Sequence, residues 1–211
     1  VMTPIRWLWA ALALTYLLFF GWYTSFAGPL TEEEIEHYMS LFEATDGDPE
    51  RRALLRSFME SDTGDDFVMI NVIDMYEEPM PIEGVEPGES SQEVLGKYMA
   101  YMYPALFARA SHPVLFGSAA APAMDLMNAP GMESWTTGAG MRYRSRRDLL
   151  EISSNPAFAG SHEFKVAAMR KTIAYPIDPW FQLGDPRLVL ALLLGLIGCA
   201  LSWLFSSRRA G

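Results

Sequence analysis

Cysteine is almost missing from this chain of 211 residues. The single one, Cys199, leaves no partner for an internal disulfide. Histidine is nearly as scarce, with His37, His112 and His162 the only three. A zinc site built from paired Cys and His needs three or four converging ligands, and no such spacing exists. There is no glycine-rich phosphate loop, no G-x-S-x-G elbow, no internal repeat and no low-complexity segment. Acidic residues are absent from both ends, 1–30 and 188–211. All 26 lie in 31–187 with 13 of the 16 Lys+Arg, so the middle carries −13 within a chain of −10. Such a middle does not bind nucleic acid through charge.

The charge-poor ends are apolar. "LVLALLLGLIGCALSWLF" (188–205) runs 18 residues without a charge, enough to cross ~30 Å of hydrocarbon at ~1.5 Å per residue. "WLWAALALTYLLFFGWYTSFAGPL" (7–30) is as apolar. Ser25-Phe26-Ala27 resembles a signal-peptidase site, but one Arg and a long run favour an uncleaved signal-anchor. Trp7, Trp9, Trp22 and Tyr23 bracket the first run, and Trp180 and Trp203 the second, as an interfacial aromatic belt would. Arg6, Arg208 and Arg209 mark the cytoplasmic side by the positive-inside bias. The expected location is therefore the inner membrane of a bacterium, crossed twice, with both termini cytoplasmic and the acidic middle periplasmic. The second run also carries Ala191, Gly195 and Cys199 at four-residue spacing, with Gly198 and Ser202 adjacent. Such a small-residue face admits a close helix neighbour. That neighbour is the first span, through Ala11 and Thr15, or a span of another protein.

The expected divisions are 1–30 for the first span, 31–62 for a helical collar, 63–178 for a folded domain and 179–211 for the second span and tail. In the collar, Thr31 with Glu34 forms a capping box ahead of the stripe Ile35, Tyr38, Met39 and Phe42. Asp48-Pro49 restarts a helix with Leu54, Leu55, Phe58 and Met59 as its stripe. Beyond it, "FVMINVIDM" (67–75) reads as a buried strand. A helix over 91–110 follows, with Val94, Leu95, Tyr98, Met102 and Leu106 inward, and Pro104 is expected to kink it or end it early. Strands are read at 112–120, at 134–144 with Gly138 and Gly140 marking a bulge or close approach, and at 172–177. Helical segments between the last two restart at Asn155-Pro156. The order is βαββαβ, an α+β ferredoxin-like domain with an antiparallel sheet and two helices on one face.

That order, with the "SNPAF" helix before the last strand, resembles the dimeric α+β barrel superfamily over about residues 66–177. The superfamily pairs two ferredoxin-like sheets into a barrel and includes small monooxygenases and haem-degrading enzymes. The resemblance implies a homodimer through the sheet. Its haem-degrading members carry a helix W-x-x-S-x-x-F-x-x-x-H with an iron-ligating His, and an Asn on the first strand. In this chain His162 stands at the His position of "NPAFAGSH" and Asn71 near the Asn position. Ile152 stands where the Trp belongs, and Trp135 lies elsewhere. His162, Asn71, Trp135 and His112 are thus the candidate ligand-binding residues, with His162 and Asn71 the candidate catalytic pair. The departure at Ile152 places haem behind a plain helix-surface reading of His162, and no cofactor or metal is expected.

Other groups have plainer readings. His37 lies among Glu32, Glu33, Glu34 and Glu36 with no second histidine. Asp65-Asp66 and Asp46/Asp48 read as caps. "RYRSRRD" (142–148) is either an anion site, lipid head groups included, or a set of ion pairs with the domain's own carboxylates. Thirteen methionines, Met99/Met102 and Met124/Met127 among them, read as core filling rather than copper ligands. The leading functional expectation is a non-catalytic accessory subunit of a larger inner-membrane complex, in contact with lipid and other transmembrane proteins. Its rivals are a haem- or apolar-ligand-binding protein or cofactor-light monooxygenase, and a self-associating homodimeric scaffold.

Overall fold

The structure is a computed structural model that describes residues 3–43 and 48–210, with side chains for 3–42 and 48–207. Asp46 and the side chains of Arg208 and Arg209, named above, lie outside the described residues. The elements are α1 (Pro4–Tyr23), α2 (Glu32–Glu43), α3 (Pro49–Glu60), β1 (Phe67–Met75), α4 (Ser91–Ala108), β2 (His112–Ser118), β3 (Thr137–Tyr143), α5 (Arg146–Ser153), α6 (Pro156–Ala168), β4 (Met169–Ile177) and α7 (Pro186–Ala210). They fall into two compact units, 1–24 with 180–211, and 25–179.

In the first unit α1 and α7 pack together, and each is long and apolar enough to cross a membrane. Gly198 is buried, and a Cβ there would lie 2.6 Å from the Trp9 ring. The Trp9 indole N–H donates to Ser202 Oγ at 3.1 Å. Gly195 and Ser202 are half-buried, while Ala191 and Cys199 are exposed. Ala11 and Thr15, expected on the contact face of α1, are exposed instead, and the Thr15 hydroxyl donates to its own helix at the Ala11 carbonyl, 2.9 Å away. The reason is size: a large ring on α1 fills the space that the small residues of α7 leave, so α1 needs no small face of its own.

In the second unit the sheet order is β2-β3-β1-β4, with every neighbouring pair antiparallel. This is the ferredoxin-like topology read from the element order. Alternation along β1 sends Phe67, Met69, Asn71, Ile73 and Met75 to one face, where α4 and α6 pack. Val94, Leu95, Tyr98, Met102 and Leu106 of α4 fill that interface. Each fully buried side chain of this kind stabilises the fold by roughly 1.5–3 kcal/mol. The opposite face carries Val68, Ile70 and Val72, with Ile173, Tyr175 and Ile177 beside them on β4. Gly140 sits on that face opposite a bulge in β2 at Pro113/Leu115. A Cβ on Gly140 would meet Val114 at 3.3 Å and Val68 at 3.4 Å, so the close approach is real and the bulge belongs to the neighbouring strand.

Three boundaries differ from the sequence reading. Helix α4 continues through Pro104 to Ala108. Pro104 and Ala100 both face outward, so the carbonyl that loses its N–H partner turns to water. β4 begins at Met169 rather than 172, because Met169 pairs with Met75 across a bulge and Arg170 is ion-paired to buried Asp74. Trp135 precedes β3 instead of lying on it.

The collar helices belong to the second unit. Thr31 and Glu34 form their capping box, Thr31 N–H donating to Glu34 Oε2 at 2.9 Å. Asp48 accepts from Glu50 N–H at 3.0 Å, ahead of Pro49. Ile35, Tyr38, Met39 and Met59 are buried on Leu150 of α5. Leu54, read as part of the α3 stripe, is 71% exposed because the helix turns it away from that contact.

Candidate functional site

α4 is fixed over the sheet by a complete capping box, with Ser90 Oγ accepting from Glu93 N–H at 3.3 Å and Glu93 Oε2 accepting from Ser90 N–H at 2.8 Å. α6 starts where Asn155 accepts from Ala157 N–H at 2.9 Å, with Pro156 in the first turn. Between these two helices, α5 and the sheet lies a cavity of about 340 Å³. Its walls are mostly carbon: Met69, Leu95, Met102, Leu106, Ile152 and Phe158. Such an apolar pocket with a few polar groups is the usual form of a small-molecule site.

The polar groups are few. Asn71 reaches the cavity from β1, and its amide N–H donates to the Met69 carbonyl at 3.0 Å. Tyr98 of α4 and Tyr143 of β3 also line it, 8% and 5% exposed. Lys165 of α6 completes the set, half-buried, its Nζ 5.8 Å from the Tyr98 ring centroid. Neither tyrosine hydroxyl makes a hydrogen bond among the described residues, and Lys165 has no ion pair there. Burial pushes both phenols above the usual tyrosine range, so they remain donors. Burial pushes the Lys165 ammonium down.

The residues singled out from sequence divide. Asn71 lines the cavity, and His162 does not. The His162 ring packs on Phe158 and Tyr98, with centroids 5.1 and 6.3 Å away, behind the wall. Burial lowers its basicity, and the positive charges of Lys165 and Arg51 add to that. Ile152, expected from sequence to stand where haem-degrading enzymes carry a Trp, is buried in the wall. Trp135 donates its indole N–H to the Met132 carbonyl at 2.8 Å and lies under Lys171 Nζ at 4.5 Å, away from the cavity. His112 is half-buried at the start of β2, its Nδ1 3.0 Å from the Pro113 carbonyl. These residues do not fit haem: the histidine that would ligate iron is walled off, and the aromatic partner is absent. His37 is exposed, and among the described residues no three His, Cys, Asp or Glu side chains gather as a metal site.

The arginine run is engaged with the domain's own carboxylates, which sets aside its reading as an anion site. Arg142, 1% exposed, donates to Asp66 at 2.8 Å and to the Ala110 carbonyl at 2.8 Å, so Asp66 is an ion-pair partner and not a cap. Arg144 forks onto Asp148, both bonds 2.8 Å. Arg146 lies 4.6 Å from the Phe58 ring centroid and bonds the Phe58 carbonyl and Ser61 Oγ, with Asp62 and Asp178 nearby. Arg147 donates to Glu34 at 2.6 and 3.0 Å and holds that carboxyl well below its usual range, at about 2.

Tyr143 and Lys165 were not legible as site residues. The signal for Lys165 was there, since Phe158, His162 and Lys165 follow a helical i, i+4, i+7 stripe, which places the lysine on a packed face.

No family model and no curated protein matches this sequence. A solved structure shares the fold of its folded domain, and others align with lower scores. Methylated RPA0582 protein, from Rhodopseudomonas palustris, superposes with a TM-score of 0.52 at 18% identity, over 66% of this chain and 96% of that one. SnoaB, a cofactor-independent oxygenase from Streptomyces nogalater, gives a TM-score of 0.33 at 12% identity, over 57% and 99%. A dimeric ferredoxin-like protein from Thermobifida fusca gives 0.32 at 12%, over 54% and 91%.

Proposed function

We propose that this chain is a membrane-tethered binding protein whose ferredoxin-like domain receives a small apolar molecule on the periplasmic side of a bacterial inner membrane. The observation that carries the reading is the cavity of about 340 Å³ between α4, α6 and the sheet. That volume lies at the low end of the roughly 300–1,000 Å³ typical of ligand sites. Two apolar helices flank the domain in the chain, so it stays where apolar compounds partition. Native mass spectrometry of the full chain from mild detergent, followed by solvent extraction, tests it. A discrete apolar species is expected with the wild type and is lost on Met99→Trp, which fills the cavity. A chain that carries nothing, with or without that substitution, refutes the reading.

A second reading, docking as an accessory subunit or on a second copy, is favoured by the sheet's other face. There Ile173, Tyr175 and Ile177 are 38–48% exposed and Leu115 65%. Cross-linking of the full chain in nanodiscs distinguishes the partners. A self-cross-link supports a homodimer, and a second membrane protein supports the accessory role. Tyr175→Glu is expected to abolish either product. A strict monomer with no partner retained excludes both.

A further inference from the structure

We propose that the molecule taken by this cavity is an apolar acid, a hydrocarbon body ending in one carboxylate, with Lys165, Tyr98 and Tyr143 receiving the carboxylate. The inference rests on the cavity being a ligand site and names the chemical class of its occupant.

Three side chains line the same cavity with hydrogen-bonding capacity that nothing else uses. Tyr98 and Tyr143 are both more than nine-tenths buried, and their hydroxyls make no hydrogen bond among the described residues. Among the described residues the only fully enclosed side-chain polar atom without a partner is Thr24 Oγ1, so the two phenol oxygens keep contact with open space. Both residues line the cavity, where an arriving molecule can pair with them. The third is Lys165, whose ammonium meets the Tyr98 ring face and no carboxylate among the described residues. Several other cations of this acidic domain meet carboxylates. Arg142, Arg144, Arg146 and Arg147 all meet carboxylates, and Lys97 meets Glu89 at 2.6 Å. Of the three lysines, Lys97 has an acid, Lys171 donates to the Gly131 carbonyl and covers the Trp135 ring, and Lys165 meets only the Tyr98 ring among the described residues.

The chemistry of the three groups selects the class. All three can donate: one ammonium and two neutral phenols held protonated by burial. A set of donors around one cation suits an anion with several acceptor lone pairs, and charge-assisted bonds are the strong ones. An alcohol or a plain hydrocarbon leaves the cation unpaired in a low-dielectric wall. The rest of the wall, Met69, Leu95, Met102, Leu106 and Phe158, offers only carbon and sulfur and suits the body of the molecule.

A photoreactive diazirine analogue of a medium-chain fatty acid tests this on the full chain in nanodiscs, against the matching diazirine alcohol. Labelled peptides are mapped by mass spectrometry. The acid is expected to label α4 and α6, with about tenfold higher occupancy than the alcohol at equal concentration. Lys165→Met is expected to remove that preference and Lys165→Arg to retain most of it. Tyr143→Phe deletes one hydroxyl without changing packing, so a several-fold loss there reads the site and not folding. Equal labelling by acid and alcohol in the wild type overturns the carboxylate assignment while leaving the cavity as a ligand site. Absence of label from α4 and α6 with both probes overturns the ligand site itself.

Discussion

Arg146 shows how a charged side chain can belong to a core. Its guanidinium covers the Phe58 ring, bonds a carbonyl and a hydroxyl of α3 and its C-cap, and faces a carboxylate, Asp62, that is 2% exposed. Arg146→Leu keeps the volume but leaves Asp62 with only its backbone N–H partners, and is expected to cost roughly 3 kcal/mol in chemical denaturation. Two acid-sensitive groups contribute to the pH response in separate ranges. His162 is half-buried, and that burial opposes its protonation, with the positive charges of Lys165 and Arg51 adding to it. Its folded pKa is lowered, so its share of stability is complete above the unfolded value near 6.5 and is lost as pH falls below it. Glu34 is held at about 2, so its share is present above 4.5 and is lost between 4.5 and 2. Thermal melts across pH should show two successive declines. His162→Phe is expected to flatten the upper one and Arg147→Met the lower one.

At the level of elements, two glycines are set by what lies against them. Gly64 has φ +84°, and a Cβ there would stand 2.5 Å from Gly28 backbone. Its N–H donates to Asp62 Oδ1 at 3.1 Å, while Asp62 Oδ2 accepts from Leu30 N–H at 2.9 Å. Gly64→Ala strains this crossing through both conformation and contact, and a fall in melting temperature of about 5 °C or more is expected by circular dichroism. Gly198→Leu is expected to separate α1 from α7 through the Trp9 ring, read as loss of helix–helix cross-linking in detergent. The sequence made most elements legible because each begins with its own chemistry: Thr31/Glu34, Asp48-Pro49 and Asn155-Pro156 all cap helices where read. It misjudged Pro104, whose tolerance depends on which way α4 faces, and Met169–Lys171, whose helix-like pattern yields to pairing with Asp74 and Met75. The site was less legible still. Asn71 was found, but His162 drew attention because its residue type is rare. Tyr98 was read only as core, since the presence of a void beside it is a property of packing and leaves no local pattern.

For the whole molecule, the arginine run and the collar are one feature. Arg146 and Arg147 reach α3 and α2 from the start of α5, and Leu150 lies under both helices. The 25–179 unit is therefore larger than the ferredoxin-like core alone. The cavity side of the sheet is covered by helices, while the other side shows Ile173, Tyr175 and Ile177. The cavity and the exposed face are lined by different residues, so the two proposed readings of its function do not compete.

The contact between Trp9 and Gly198 has a consequence for folding. Two apolar helices that pair in a bilayer form a hairpin, and everything from 25 to 179 becomes its loop. The unfolded domain then starts with its ends already joined. Closing a loop of that length in free solution costs on the order of 4 kcal/mol. The hairpin removes that entropy from the unfolded state before any strand has paired. A helix pair held in a bilayer would then act on the domain as a staple, and opening that pair is expected to lower the domain's stability in chemical denaturation.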